Sequence, residues 1–320
     1  MLDSHGRNIN YMRISITDRC NLRCKYCTPE DIALIDKSEI LQSDEIKAVC
    51  EAAAELGIKN IRITGGEPLV RRDCQEVIKK INDIEKIESI SMTTNGVWLK
   101  EKLDGLIKAG LDSVNISLDT VDRKMYEQIC GRDSLSEVIE AIQEAKKYMS
   151  VKLNCVLIAG INDKQWPELL DFADKMHTPI RFIELMPIGF GKEFSGVKNT
   201  DLLKEMEKKY SCVKKSEKKH GRGPSEYYHI DGMSVDVGFI SAINNMFCKD
   251  CNRIRLSSTG FLKQCLCYDS GVDLKKIIRQ NDKAKLITEI KNAVYNKPAE
   301  HCFSQLYKIT EQKSMIKIGG

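Results

Sequence analysis

Apolar and polar residues alternate with a period of two in short β-branched segments at 11–16, 58–64, 89–93, 113–118, 151–157 and 180–185. Each segment predicts a strand. Between them the period changes to that of an amphipathic helix. One helix begins near Ser43, a plausible N-cap, and runs to Leu56, where Gly57 stops it. Others are expected at 74–81, at 99–109 (ended by Gly110), at 136–148 and at 165–176. Strand–helix units of roughly 30 residues predict parallel βαβ architecture. Six of them predict an α/β fold, an open (β/α)6 barrel of partial TIM type rather than a closed eightfold one.

The alternation also predicts what the barrel holds. Met12, Ile14 and Ile16 alternate with Arg13, Ser15 and Thr17. Ile61 and Ile63 alternate with Asn60, Arg62 and Thr64. Ile90 and Met92 oppose Ser91 and Thr93, Val114 and Ile116 oppose Asn115 and Ser117, and Val151, Leu153 and Cys155 oppose Lys152 and Asn154. Successive side chains point to opposite faces of a strand. The apolar set packs under the helices, so the polar set faces the lumen. A closed barrel fills that space with branched apolar residues; here it would hold Arg13, Arg62 and Lys152. Buried cations without partners are costly, so the lumen is expected to be wet, open and filled by an anionic ligand. An antiparallel sheet with one solvated face would give the same alternation, but the long helical connections favour parallel pairing.

Beyond residue 185 the texture changes. Residues 187–197 are rich in Gly and Pro and predict a long loop. A short helix is expected at 200–208. The segment 214–223 is basic and is expected to be a solvated loop, or else a lid or phosphate contact. Residues 227–230 and 233–237 flank Asp231-Gly232, a type I′ hairpin signal. A second hairpin is expected at 253–257 and 261–264 around Thr259-Gly260, followed by helices at 273–279 and 282–295. Residues 1–197 are therefore expected to form the partial barrel, and residues 198–320 a C-terminal extension.

The chain has 320 residues, 42% of them hydrophobic, enough for a barrel-sized core. A formal charge of +4 does not by itself imply nucleic acid. No apolar run reaches the ~18 residues of a membrane span, and the first residues are too polar for a signal peptide, so a cytoplasmic location is expected. In a reducing compartment, 13 cysteines argue for metal or catalysis rather than disulfides.

Cys20, Cys24 and Cys27 form a C-x3-C-x2-C run directly after the first strand. Three thiolates on one loop can grip one metal centre. Structural zinc and ordinary iron–sulfur centres take four protein ligands. Three, with no nearby fourth Cys or His, point to a [4Fe–4S] cluster with one iron open to a small molecule. Cys248, Cys251 and Cys265 form a second group, C-x2-C-x13-C. Zinc there would need a fourth ligand from Cys267, His220 or His229. Arg253 and Arg255 lie between these cysteines on one strand face, and arginine forks suit phosphates and carboxylates. Gly65-Gly66-Glu67-Pro68, Thr93-Thr94-Asn95-Gly96, Ser117-Leu118-Asp119 and Glu184-Leu185-Met186-Pro187 all end strands, at the rim where such folds carry their sites.

Cys-Asn-Leu-Arg-Cys-Lys-Tyr-Cys resembles the signature of the radical S-adenosylmethionine (SAM) superfamily. Together with Arg-Ile-Thr-Gly-Gly-Glu-Pro-Leu, Asn-Ile-Ser-Leu-Asp, Phe-Ile-Glu-Leu-Met-Pro-Ile-Gly, Cys-Lys-Asp-Cys-Asn-Arg-Ile-Arg-Leu and the terminal Gly-Gly, it resembles the GTP 3′,8-cyclase family, which acts in molybdenum cofactor biosynthesis. The resemblance runs from about residue 5 to 320. Thr28 and Ser257 depart from it, where Met and Thr are common. It implies two [4Fe–4S] clusters, one on Cys20, Cys24 and Cys27 with SAM on its open iron, the other on Cys248, Cys251 and Cys265 with the guanine of GTP. It implies SAM contacts at Tyr26, Gly66, Glu67, Ser117 and Met186. GTP contacts are implied at Arg13, Arg62, Thr93, Lys152, Arg253, Ile254 and Arg255, and catalytic roles for Arg253, Arg255, Gly319 and Gly320.

The implied reaction begins when a 5′-deoxyadenosyl radical takes H-3′ of GTP. The C3′ radical then attacks guanine C8, and reduction by one electron with uptake of a proton gives (8S)-3′,8-cyclo-7,8-dihydroguanosine 5′-triphosphate. Implied partners are a reductant such as flavodoxin or ferredoxin, a downstream cyclic pyranopterin monophosphate synthase and a second copy in a homodimer, with no membrane or nucleic acid. Two other readings remain at this point. A radical SAM peptide maturase with an auxiliary cluster would also carry C-terminal cysteines, and a zinc-dependent nucleic-acid-binding module would hold two zincs.

Overall fold

Six strands follow one another in parallel: β1 (Tyr11–Ser15), β2 (Asn60–Thr64), β3 (Ser89–Thr94), β4 (Ser113–Ser117), β5 (Ser150–Val156) and β6 (Ile180–Ile183), each paired with the next. The computed structural model describes residues 1–320 apart from 29–31, 219, 222, 244–246 and 320. The connections carry α1 (Ser43–Glu55), α2 (Cys74–Asn82), α3 (Leu99–Lys108), α4 (Arg123–Cys130) with α5 (Leu135–Ala145), and α6 (Trp166–Lys175). Each of these helices turns an apolar stripe to the outer face of the sheet. There Met12, Ile14, Ile61, Ile63, Ile90, Met92, Val114, Ile116, Leu153 and Cys155 are at most 1% exposed. The parallel barrel expected from the alternation is present, and the antiparallel alternative is not.

The C-terminal part extends this same sheet. After α7 (Asn199–Lys209) come β7 (Val213–Lys215), β8 (Glu226–Ile230), β9 (Val237–Ile240), β10 (Arg253–Leu256), β11 (Phe261–Lys263) and β12 (Gly271–Asp273), then α8 (Lys275–Arg279), α9 (Lys283–Tyr295) and the short α10 (Met315–Ile318). The order across the sheet is β12-β11-β10-β1-β2-β3-β4-β5-β6-β9-β8-β7. β9 joins β6 and β10 joins β1, both in parallel, so each edge of the six-stranded barrel gains a strand from the extension. Among the described residues no helix is long and apolar enough to cross a membrane.

Three local expectations change. The N-cap of α1 is Gln42, in a capping box with Glu45, because the Ser43 hydroxyl is drawn to Glu76 at 2.8 Å. Asp231-Gly232 is not a two-residue hairpin turn. Residues 233–236 form no strand, and β8 pairs instead with Val237–Ile240 in the register Tyr228↔Val237. Side chains hold that stretch in place of a ladder: Asp174 accepts from the Ser234 N–H and hydroxyl, and Asp236 is bound by His220 and His229. The basic segment begins as strand β7, antiparallel to β8, before it becomes a loop. The hairpin at Thr259-Gly260 forms as expected, with Gly260 at φ +88°.

Candidate active site

The first cysteine loop leaves the upper end of β1 and is pinned from outside. The N–H groups of Arg23 and Lys25 donate to the carbonyls of Cys130 and Ile129, at 2.9 and 3.0 Å. These belong to the last turn of α4, whose carbonyls have no partner within the helix. Three donors address the sulfurs: Leu22 N–H and Asn95 Nδ2 reach Cys20 Sγ at 3.4 and 3.8 Å, and Thr28 Oγ1 reaches Cys27 Sγ at 3.4 Å. Burial pushes the Cys20 thiol up to about 12 and the Cys27 thiol up to about 11. A hydrogen bond with Cys130, and then burial, raises Cys24 further. Binding of a metal group here therefore releases protons.

The glycine loop after β2 fits this one closely. Gly66 and Glu67 donate their N–H groups to the carbonyls of Thr17 and Arg19, at 2.7 and 2.8 Å. A Cβ on Gly66 would stand 2.4 Å from the Arg19 carbonyl oxygen and 2.8 Å from Ile316. Glu67 is buried. One carboxylate oxygen accepts from Leu69 N–H and Thr94 Oγ1, the other from Asn95 N–H at 2.7 Å. Burial raises its carboxyl to about 7 despite these donors. These three donors fix the Glu67 carboxylate against the ends of β2 and β3 and so order the rim.

The lumen is cationic, as the alternation predicted. Arg13 lies in register with Arg62 on one side and Arg255 on the other, so three guanidinium-bearing residues stand abreast on adjacent strands. Arg62 donates to the Tyr11 hydroxyl and reaches Thr93 Oγ1 at 3.5 Å. Arg181 donates to Asn154 Oδ1 at 3.0 and 2.6 Å. Burial, then the charges of Arg255 and Arg62, holds Arg13 well below its ordinary range. Burial lowers Arg181 and Arg255 to about 10, and burial with the nearby Arg181 and Arg62 lowers Lys152 to about 8. Burial is the largest cause of each depression, and the neighbouring cations add to it.

The second triad sits at the opposite end, where β10 begins and β11 ends. Cys248 and Cys251 bracket a 3₁₀ turn, and Cys265 follows β11. Arg7 staples this region. Its Nη1 donates to the carbonyls of Cys248 and Ala299 at 3.0 and 2.6 Å, its Nη2 to that of Pro298 at 2.7 Å, and its Nε to Asp3 at 2.6 Å. His301 N–H reaches Cys248 Sγ at 3.4 Å. At Cys251 burial favours the neutral thiol, but Lys297 and Arg253 outweigh it and hold the group below its ordinary value. Arg253 also lies over the Phe247 ring, 4.9 Å from its centre.

The C-terminal tail threads into the rim. Ile316 and Ile318 are buried, and Arg255 Nη1 donates to the Gly319 carbonyl at 2.9 Å. Gly319 has φ +74°, and a Cβ there would lie 2.8 Å from Ser15 Cβ and 3.2 Å from Thr64 Oγ1. Gly189 gives way to Ser314 in the same manner, at 2.7 Å. Gly320 lies outside the described residues.

One cavity gathers most of these groups. Tyr26, Cys27, Arg13, Arg62, Thr93, Ser117 and Met186 line it with Cys248, Cys251, Arg253, Arg255 and Cys265. Cys20, Cys24, Gly66, Glu67, Lys152, Ile254 and Gly319 are not among its lining residues. The Ile254 side chain is fully buried in the apolar core, so only its backbone is left for a ligand. Cys267 turns away from the cavity, and its Sγ meets that of buried Cys302 at 3.1 Å. The sequence reading missed Arg181, Tyr11, Asn154 and Arg7. The period-two rule extended over β6, and one residue earlier on β1, finds Arg181 and Tyr11; Asn154 was seen facing the lumen but given no role. Arg7 carries no local signal.

The two donor sets fit [4Fe–4S] clusters. Each supplies three thiols, each has donors that reach its sulfurs, and each opens on the same cavity. Hydrogen bonds to cysteine sulfur are the usual means of tuning such clusters.

Residues 14–173 match the Radical SAM superfamily, and residues 178–303 match the family described as Molybdenum Cofactor Synthesis C. A "GTP 3',8-cyclase" of Clostridium perfringens (strain SM101 / Type A) is 40% identical over 323 residues, with 100% of each chain covered. One from Desulforamulus reducens is 38% identical over 330 residues, again with 100% of each covered. In fold the chain is similar to Streptococcus suis SuiB bound to S-adenosylmethionine, at TM-score 0.64 and 14% identity, over 97% of this chain and 78% of that one. The sheet, the two cysteine triads and this full-length similarity lead to one conclusion: the chain belongs to the GTP 3′,8-cyclase family of radical SAM enzymes.

Proposed function

We propose that this chain cyclises GTP between C3′ and C8, the first step of molybdenum cofactor biosynthesis, and that the cavity between its two triads is where it does so. Its cofactors are two [4Fe–4S] clusters and SAM, and its small-molecule substrates are GTP and SAM. When bound and reduced, the cluster on Cys20, Cys24 and Cys27 with SAM supplies the 5′-deoxyadenosyl radical that takes H-3′.

The chain's own residues do the rest. Tyr26, whose hydroxyl donates to Asp119 at 2.6 Å, stands with Ser117 and Met186 on the cavity wall beside Cys27 and holds SAM there. Gly66 brings its backbone against the same loop. Cys248, Cys251 and Cys265 hold the second cluster against the guanine. Arg13, Arg62, Lys152, Arg253 and Arg255 bind the triphosphate, with Thr93 and the Ile254 backbone beside them. Positioning of this kind supplies much of the rate in an oriented reaction. Gly319 enters a space too tight for a side chain and helps to close the rim, and Gly320 shares the catalytic role that the family resemblance implies. Residues 1–197 carry the SAM half and residues 198–320 the second-cluster half.

The observation that carries this reading is the row Arg255–Arg13–Arg62 in one cavity with Cys27 above and Cys248, Cys251 and Cys265 below. The relatives' shared name disfavours the peptide-maturase alternative. The enzyme works in the cytoplasm as a homodimer, draws electrons from a flavodoxin or ferredoxin, and passes its product to cyclic pyranopterin monophosphate synthase. The test is anaerobic incubation of the reconstituted protein with SAM, reductant and GTP. A product isomeric with GTP is expected, because one hydrogen atom leaves and an electron and a proton return. SAM cleavage without loss of GTP would overturn the reading.

A further inference from the structure

The segment between α9 and the tail carries a side chain that the site so far does not use. Arg7 fixes this segment from one side, through the carbonyls of Pro298 and Ala299 at 2.7 and 2.6 Å. Cys302 fixes it from the other. Its N–H donates to Cys267 Sγ at 3.3 Å, and the two sulfurs meet at 3.1 Å, two residues beyond Cys265. His301 stands between these anchors and is 6% exposed. It lines the main cavity with Cys248, Cys251 and Cys265.

The backbone N–H of His301 reaches Cys248 Sγ at 3.4 Å, so the backbone already serves the triad. Its Nδ1 accepts from the Phe303 N–H at 3.4 Å, which assigns the ring proton to Nε2. That Nε2 is buried and has no hydrogen-bond partner among the described residues. The ring lies against Phe303, with centres 4.6 Å apart, and meets Phe247 edge-on at 6.5 Å. Two aromatic rings thus hold a neutral donor in place. A buried donor is rarely left unpaired once its site is filled.

The chemistry of this donor narrows its partner. A neutral imidazole N–H beside the second triad suits a carbonyl oxygen of the base held there, since arginines and Lys152 are available for the phosphates. Adenine and guanine share the N7 acceptor, whereas at C6 guanine presents an acceptor oxygen and adenine a donor amine. We propose that His301 Nε2–H donates to O6 of the guanine held at Cys248, Cys251 and Cys265, and so selects a 6-oxopurine over a 6-aminopurine. This rests on the GTP reading above.

The full-length protein with both clusters, kept anaerobic and without reductant, provides the test. Dissociation constants are measured for GTP, for ATP and for 2-aminopurine riboside triphosphate, which keeps the 2-amino group of guanine but lacks O6. His301→Phe keeps a ring beside Phe247 and Phe303 but has no donor. It should weaken GTP about tenfold, the scale of one buried hydrogen bond, and leave the analogue without O6 within about twofold. The preference for GTP over ATP should narrow by the same factor. His301→Gln keeps a donor N–H and should recover most of the GTP affinity. Iron should stay at about eight per chain in both variants. Equal losses for GTP and the analogue, or loss of the second cluster with the imidazole, would overturn the proposal in favour of a contact to the cluster itself. Failure of the unaltered protein to bind GTP would instead overturn the functional reading; GTP binding indifferent to His301→Phe would overturn this inference alone.

Discussion

Arg255 gives one of its N–H groups to the backbone carbonyl of Gly319, 2.9 Å away, and so joins the row of lumen guanidiniums to the end of the chain. Gly319 adopts φ +74° against Ser15 and Thr64, a place that a Cβ would contest. Gly319→Ala should therefore displace the tail while sparing both cysteine triads. A displacement near 1 Å can lower turnover on the order of 10²-fold. Iron content and product formation, measured on the same preparation, check this: full iron with little product is expected.

In the proposed binding mode, Lys152 is the group expected to set the pH range for GTP binding. Burial, with Arg181 and Arg62 nearby, lowers it from 10.5 to about 8 in the free protein. Below pH 8 it is charged and ready for phosphate. Above pH 8, binding must take up a proton, so affinity should fall by up to about tenfold per pH unit until the pKa of the bound state is reached. GTP affinity measured from pH 7 to pH 9.5 tests this, and Lys152→Met should flatten that part of the profile.

Lys263 and Glu311 form an ion pair whose side chains are only 2% and 3% exposed. It fastens β11 to the segment that leads into the tail. Glu311→Ala leaves the ammonium buried with the Tyr268 carbonyl as its remaining partner. Breaking a buried pair in this way costs about 3–5 kcal/mol. Anaerobic denaturant titration should show a loss of that size, and product formation should fall with it.

Arg7 holds the second triad through four backbone carbonyls, those of Cys248, Lys297, Pro298 and Ala299, and the Asp3 carboxylate. Lysine cannot reproduce that fork. Arg7→Lys should lower bound iron from about eight to about four per chain, the content of one cluster. SAM binding at the first triad should persist, and loss of both clusters together would contradict the assignment.

The barrel was legible because its strands largely obey one rule: Met12 and Ile14 face the helices and Arg13 faces the lumen, with Tyr11, Val156 and Ile183 as exceptions on the cavity wall. The triads were legible because three thiols within eight residues, or two within four, have few other uses. The hairpin at Asp231-Gly232 was misread because Asp174 and Asp236 hold residues 233–236 with side-chain bonds that no local pattern encodes. Arg7 was invisible because its partners, at 248 and 297–299, lie more than 240 residues away. The three donors that order the Glu67 carboxylate, from Leu69, Thr94 and Asn95, were not legible because they come from neighbouring rim segments brought together only by the fold.

The central claim is that one cavity brings a radical generator at Cys20, Cys24 and Cys27 to the ribose of a GTP held at Cys248, Cys251 and Cys265. GTP carrying deuterium at C3′, incubated anaerobically with the two-cluster protein, SAM and reductant, tests it directly. The account predicts one deuterium in the 5′-deoxyadenosine released, alongside cyclised product without deuterium at C3′. Unlabelled 5′-deoxyadenosine, with the label kept in the nucleotide, would contradict it.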